Sequence, residues 1–164
     1  MKKILLAALL SLIFSSCGYT MAGLNNKVPV KYYINPVQND TIDSSIGDIM
    51  QLEAERFFLK YNELASYKQA TYFMDIIISK LEYINPVLTA TNQATSTNLS
   101  YNLTIVVTDI DGKEIYTWNN TSNTNFSITS NIGRTLQTRD QKLKDNIEDD
   151  LTTFRLNISR KVYK

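Results

Sequence analysis

The chain of 164 residues contains no histidine and a single cysteine, Cys17. Zinc sites built from cysteine and histidine, Ser-His-Asp triads and Cys-His dyads are therefore excluded. An intramolecular disulfide is excluded because it needs two cysteines. Carboxylate-only catalysis remains open, but no pair of acidic residues stands in a recognisable cleft motif. We therefore predict no catalytic residue, no metal site, no cofactor and no enzymatic activity.

An excess of one charge is also lacking. The sequence has 17 basic and 16 acidic side chains and a formal net charge of +1. A general nucleic-acid binder needs a basic face to neutralise phosphates, so we expect no nucleic-acid partner. Apolar residues make up 43 % and charged residues 20 %, which is typical of a folded domain. The length suits one domain with its own core.

The first residues have the pattern of a bacterial secretory leader. Lys2 and Lys3 supply the positive charge, and residues 4–14 form an apolar run. That run is too short to span a bilayer as a helix but is typical of a signal peptide.

Ser15, Ser16 and Cys17 end this leader and resemble a lipobox. In a lipobox, lipid is transferred to the cysteine thiol and the peptide is cut just before it, and a thiolate is the nucleophile that this transfer needs. We predict a signal peptide over residues 1–16 and a single mature domain over residues 17–164. Cys17 is then the lipid-attachment residue, with S-diacylglycerol and N-acyl chains.

Two alternatives stay open for the cysteine. Cleavage at an ordinary signal site near Thr20-Met21-Ala22 would leave Cys17 unmodified, or the cysteine is there by chance. Several acyl chains would anchor the protein firmly, because each buried methylene contributes about 0.8 kcal/mol. Gly18, rather than aspartate, follows the cysteine, and by resemblance to lipoprotein sorting this favours the outer membrane.

Hydrophobic periodicity predicts six elements in the order β-α-β-β-β-α. They are strands over 28–37, 71–84, 99–110 and 114–128, a helix from Ser45, and a last helix with Leu143, Ile147, Leu151, Phe154 and Ile158 on one side. We expect an α+β fold with two helices packed on one face of a four-stranded mixed sheet.

Turn and capping signals set the expected ends of these elements. Ser45 with Asp48, and Thr138 with Gln141, are the expected capping boxes of the two helices. Asn85-Pro86 should end the second strand and a polar connection over 89–98 should follow. Asp111-Gly112 should form a tight hairpin turn.

Two long stretches carry no charge at all: residues 84–108 and 115–133. A solvated surface normally carries about a quarter to a third of charged residues. Hydroxyls and amides can form hydrogen bonds without a charge that must be desolvated, so these stretches favour an extensive contact inside another protein. Compositional drift with flexible loops is the alternative.

Two smaller features have simple structural interpretations. The acidic run Glu148-Asp149-Asp150 is expected on a solvated helix face rather than at a divalent cation, because consecutive helical residues point in different directions. Trp118 is expected to pack against the sheet rather than to bind a ligand.

Cys17, Gly18 and Tyr19, with Gly23 four residues after the tyrosine, resemble the C-G-Y-x-x-x-G start of the LptE family of lipopolysaccharide-assembly lipoproteins. The resemblance extends to the P-x-x-N-x-T exit of the first strand at 36–41. It also covers the Asp111-Gly112-Lys113 hairpin, the last helix and the element order.

The resemblance implies a non-enzymatic plug inside the LptD-type β-barrel that binds lipopolysaccharide and supports barrel assembly and export. It implies lipid anchoring at the periplasmic side of the outer membrane. The family's lipopolysaccharide contacts involve basic residues; the candidates near predicted strand or loop edges are Lys80, Lys113, Arg134 and Arg139. The alternative is a periplasm-facing outer-membrane lipoprotein that regulates a cell-wall synthase, since such modules share the strand exit and topology.

Overall fold

A computed structural model gives the fold and describes residues 30–88 and 94–162. The predicted leader and the motif residues Cys17, Gly18, Tyr19 and Gly23 lie outside the described residues. The elements, in chain order, are β1 (Tyr32–Ile34), β2 (Gln38–Asn39), α1 (Ser44–Lys60), a 3₁₀ turn (Tyr67–Gln69), β3 (Tyr72–Leu88), β4 (Ala94–Asp109), β5 (Glu114–Ser127) and α2 (Ile132–Val162).

The sheet is mixed and has the order β1-β3-β4-β5, with the short β2 pairing with β3 farther along the same edge. β1 and β2 run parallel to β3, whereas β3, β4 and β5 are antiparallel to their neighbours. The predicted α+β fold with two helices is confirmed, with one more short strand than expected. Of the predicted strand over 28–37, only Tyr32–Ile34 pairs as β1, and the added strand β2 follows it at Gln38–Asn39, after Pro36, which has no backbone N–H to donate.

α1 begins at Ser44 and is capped by Asp43. The Asp43 carboxylate accepts hydrogen bonds from the Ser45 N–H at 3.0 Å and from the Ser45 hydroxyl at 2.6 Å. The predicted box of Ser45 with Asp48 is therefore wrong, because the cap lies two residues earlier. α1 buries Ile46, Gly47, Met50, Ala54, Phe57 and Phe58.

The two central strands are longer than the sequence predicts. β3 continues past Asn85-Pro86 to Leu88, with a register shift between Ile84 and Val87, and β4 begins at Ala94. The predicted end of the strand at Asn85-Pro86 is therefore wrong, and so is the predicted polar connection over 89–98 where it overlaps β4. Pairing between long strands tolerates a local irregularity of this kind. The predicted hairpin is confirmed, with Gly112 at a φ of 77° donating its N–H to Asp109 O at 3.0 Å.

α2 begins at Ile132, nearly two turns before its predicted cap at Thr138. The Asn131 side chain accepts a hydrogen bond from the Arg134 N–H at 3.0 Å, as an N-cap does. The Thr138 hydroxyl instead donates to Arg134 O at 2.9 Å within the helix, so the predicted box of Thr138 with Gln141 is wrong. The predicted apolar stripe of α2 is confirmed as buried, from Leu143 to Ile158.

The core lies between the two helices and one face of the sheet. Met74, Ile76 and Ile78 of β3 are fully buried there. In β4 and α2, the fully buried apolar side chains include Tyr101, Leu103, Ile105, Val107, Ile147, Leu151 and Phe154. Burying each large apolar side chain contributes about 1.5–3 kcal/mol, so this one layer holds the fold together. Trp118, predicted to pack against the sheet, lies in β5 and packs against the Phe154 ring of α2 at 5.9 Å.

Candidate functional site: the open face of the sheet

Neither helix covers the second face of the sheet, which we call the open face. Register and alternation define it, since side chains between buried positions point away from the helices. Its members are Asp75, Ile77, Ser79, Glu82 and Ile84 of β3, Asn98, Ser100, Asn102, Thr104, Val106 and Thr108 of β4, and Thr117, Asn119, Thr121, Asn123 and Asn125 of β5. All of them are exposed or half-buried.

Hydrogen bonds between side chains of β4 and β5 run along the middle of the open face. Thr104 Oγ1 donates to Asn119 Oδ1 at 2.8 Å, and Thr121 Oγ1 donates to Asn102 Oδ1 at 3.0 Å. A third bond of 2.7 Å joins the amides of Asn125 and Asn98. These directly opposite pairs form a polar ladder that fixes the side chains without any charge.

The charge-free stretches of the sequence supply the β4 and β5 part of the open face. The open-face charges on β3 are Asp75, whose Oδ1 accepts a hydrogen bond from Asn35 Nδ2 at 2.8 Å, and Glu82, which lies opposite Ser100 of β4. The centre of the open face therefore presents amide and hydroxyl groups that are cheap to desolvate when a partner supplies hydrogen bonds. The shallow surface beside Ser79, Asn102 and Asn119 has the same polar lining.

An aromatic group borders the open face near the start of β3. The Tyr33 ring lies 5.4 Å from Tyr67 and 6.2 Å from Phe73, and the Tyr67 and Phe73 rings are 5.0 Å apart. Tyr67 is 64 % exposed, which is high for a large aromatic side chain. Exposed aromatic residues are enriched at protein interfaces, and this group lies next to the open face.

The predicted lipopolysaccharide-binding cations do not lie together. Lys80 sits in a bulge of β3 with a φ of 55°, and its ammonium is 3.3 Å from Glu82 Oε1. Lys113 lies in the β4–β5 turn and Arg134 in the first turn of α2, at opposite ends of β5. The side chains of Lys80, Lys113 and Arg134 are exposed.

Arg139 is already engaged within the fold. Its guanidinium lies 2.8 Å from Asp43 Oδ2 and 2.7 Å from Asp140 Oδ1, and its side chain is only 13 % exposed. It also donates to Ser45 Oγ at 3.0 Å. Burial works against the ionised Asp43, but hydrogen bonds from Ser45 and Tyr83 and the Arg139 charge outweigh it and lower the pKa of the Asp43 carboxyl.

The three residues of the acidic run on α2 differ in burial, which the sequence did not predict. Glu148 and Asp149 are exposed, but Asp150 is buried, so the expected solvated face is wrong for that residue. Its carboxylate accepts hydrogen bonds from Tyr101 OH at 3.0 Å, from Asn120 Nδ2 at 2.9 Å and from the Ser122 hydroxyl. The sequence did contain a signal for the burial of Asp150, since position 150 lies three residues after Ile147 on the buried stripe.

A groove lies away from these residues, beside β1, β2 and the first half of α1. It encloses about 730 Å³, and its carboxylates are Asp48 and Glu55. None of the four predicted cations lines it. Across residues 30–88 and 94–162, no group of three or more potential metal ligands lies together. No helix in the same ranges is long and apolar enough to cross a membrane.

No protein-family model matches the chain, and no curated protein sequence matches it. Solved bacterial structures share its fold at low identity. A Xanthomonas campestris protein of the DUF330 family aligns with 81 % of this chain and 87 % of its own, at a TM-score of 0.57 and 10 % identity. A candidate lipoprotein of Caulobacter crescentus CB15 aligns with 78 % of this chain and 91 % of its own, at a TM-score of 0.56 and 7 % identity. A minor lipoprotein of Acinetobacter baumannii aligns with 81 % and 97 %, at a TM-score of 0.51 and 14 % identity.

Proposed function

We propose that the chain is a non-enzymatic outer-membrane lipoprotein of the LptE type, lipid-anchored on the periplasmic side. It plugs and helps to assemble an LptD-type β-barrel and so supports lipopolysaccharide transport to the cell surface. The observation that carries this proposal is the open face, a wide sheet surface on which every β4 and β5 residue is uncharged. The lipobox-like start and the Cys17-Gly18-Tyr19 motif add the anchor and the family.

The physical case for a protein partner comes from what the open face lacks. A solvent-exposed sheet face normally carries many charged residues, whereas charged residues are depleted where a protein interface forms. The polar ladder has hydroxyl and amide groups left over for direct or water-mediated bonds to a barrel wall. The lumen of a β-barrel would cover such a surface over its full length.

Similar solved structures support the lipoprotein part of the proposal, and exposed cations support the lipopolysaccharide part. Solved structures with this fold include proteins named as lipoproteins. The exposed cations Lys80, Lys113 and Arg134 are the ones we propose for lipopolysaccharide phosphates, whereas Arg139 is held by Asp43 and Asp140. No observation favours the cell-wall synthase regulator over the barrel plug.

A pull-down from the native outer membrane tests the proposal. The tagged lipoprotein, extracted in mild detergent, should bring down a heat-modifiable β-barrel protein in about equal amount. Asn102→Lys places a charge at the centre of the open face, where burying it unpaired is costly, and should lower barrel recovery at least about tenfold.

The matched control is Leu52→Lys, at an exposed position of α1 on the helical side. This variant should recover the barrel as the unmodified protein does, and circular dichroism should show that both variants are folded. The proposal is wrong if the unmodified protein is recovered without a barrel. Equal recovery with Asn102→Lys would remove the open face as the contact surface.

A further inference from the structure

β5 is an edge strand of fourteen residues. It pairs with β4 on one side, and no described strand pairs with its other side. Natural proteins protect long edges with charges, prolines or bulges, because unpaired backbone groups are a template for another strand. From Ile115 to Ser127, β5 contains no charged residue and no proline, and its one register shift lies at its beginning.

The hydrogen-bond pattern shows which backbone groups face this edge. The Tyr72 N–H donates to Lys31 O, toward β1, and the Asp109 N–H donates to Lys113 O, toward β5. Odd-numbered residues of β4 therefore direct their backbone groups to β5, where their partners are even-numbered. The odd-numbered residues of β5 direct their N–H and C=O groups outward: Thr117, Asn119, Thr121, Asn123 and Asn125.

These five residues also supply the β5 part of the open face, because in a strand the side-chain face and the hydrogen-bonding direction alternate with the same period. A strand added at this edge would thus continue the open face and its uncharged chemistry. The edge and the face form one surface.

The helical side decides what kind of partner fits. α2 lies directly over β5, with the Phe154 ring 6.1 Å from Tyr116 and 5.9 Å from Trp118, and with Thr124 Oγ1 3.4 Å from Lys142 O. A second copy paired at this edge would bring its own α2 alongside the first helix. A single extended segment without a helical layer meets no such neighbour.

We infer that the outer edge of β5, from Thr117 to Asn125, binds an extended segment of the barrel partner as one additional strand. Main-chain hydrogen bonds provide the affinity in this mode of recognition. The segment carries uncharged side chains on the side that continues the open face. The inference rests on the proposed function and names the β5 edge as a contact between the lipoprotein and the barrel.

Proline at an outward position tests the edge directly. Thr121→Pro removes one outward N–H but no backbone hydrogen bond to β4, and proline is tolerated on the free side of an edge strand. The matched control Thr121→Val loses the same hydroxyl but keeps the N–H. In pull-downs of the full lipoprotein, Thr121→Pro should lower barrel recovery at least about tenfold relative to Thr121→Val. Asn123→Pro against Asn123→Ala repeats the comparison if the first proline variant does not fold.

The outcomes separate the edge from the proposed function. Equal recovery with the proline and control variants overturns the edge inference and leaves the barrel plug standing. Absence of the barrel from the unmodified protein overturns both. Recovery of a homodimer that Thr121→Pro dissociates would identify a second copy as the occupant and overturn the commitment to the barrel. Hydrogen exchange that slows at the five outward amides in the barrel complex supports the inference.

Discussion

At the residue scale, Asp150 is a buried carboxylate whose hydrogen-bond donors are the neutral side chains of Tyr101, Asn120 and Ser122. Burial raises the pKa of Asp150, although hydrogen bonds from Ser122, Tyr101 and Asn120 act in the opposite direction. Burial and the Asp150 charge also raise the pKa of the Tyr101 hydroxyl, which keeps its proton and donates a hydrogen bond to the carboxylate. The donors satisfy the carboxylate, but ionising it still costs stability.

This balance predicts a pH dependence of stability. The folded pKa of Asp150 lies above its ordinary value of 3.8, so the folded state binds the proton more tightly than the unfolded chain does. The resulting stabilisation is full below the unfolded pKa and is lost as pH rises through the folded pKa. The free energy of unfolding of the unmodified protein, relative to Asp150→Asn, should therefore fall from pH 4 toward neutral, as measured by urea denaturation.

Asp149→Asn is the matched control, since Asp149 is the exposed neighbour on the same helix. Its difference from the unmodified protein should vary much less over the same pH range. A flat difference for Asp150→Asn would show that the folded environment does not favour the protonated acid.

At the element scale, charged contacts near both ends of α1 join it to α2. Arg139 of α2 meets Asp43 at the start of α1, and Arg155 of α2 meets Glu63 just after its end, at 2.7 Å. The Arg155 guanidinium also lies 4.0 Å from the centre of the Tyr61 ring. The apolar stripes set how closely the helices pack on the sheet, and these contacts set where α2 lies along α1.

Arg139→Ala should destabilise the fold by about 1–3 kcal/mol, because it leaves Asp43 partly buried without its positive partner. Arg134→Ala is the matched control, an exposed arginine in the same helix, and should change the free energy of unfolding by no more than about 0.5 kcal/mol. Chemical denaturation measures both. Similar values for the two variants would contradict a structural role for Arg139.

The elements also show what the sequence can predict. Alternation identified β4 and β5, and the spacing of Leu143 to Ile158 identified the buried side of α2, because these patterns reflect burial directly. Helix starts were missed because Asp43 and Asn131 compete with other capping residues nearby. The charge-free stretches were visible in the sequence, but the polar ladder could not be predicted, because its pairs depend on the strand register. The engagement of Arg139 also needs contacts between residues far apart in the chain.

At the scale of the whole molecule, one side is a helical layer with many charges and the other is the open face. The described part of the chain begins at Val30, next to β1, and Cys17 lies thirteen residues earlier. A segment of that length reaches at most about 45 Å, so an anchor on Cys17 would keep the domain close to the membrane surface.

Cys17→Ala should abolish labelling by palmitate and leave the chain as an uncleaved precursor, because alanine has no thiolate to accept the lipid. Ser16→Ala is the matched control; it keeps a small residue before the cysteine and should be labelled and cleaved normally. Metabolic labelling and mass spectrometry report both changes. Unchanged cleavage of Cys17→Ala, for example near Thr20-Met21-Ala22, would show an ordinary signal peptide.

The strict alternation along β4 gives substitutions and deletions very different consequences. Leu103 and Ile105 face the core, while Asn102 and Thr104 face outward between them. Evolution can therefore remodel the outward set one residue at a time while the core remains intact. Deleting a single residue inside the strand would instead exchange the two sets beyond that point, burying amides and exposing aliphatic side chains. The outward surface of β4 therefore tolerates substitutions but not the deletion of a residue.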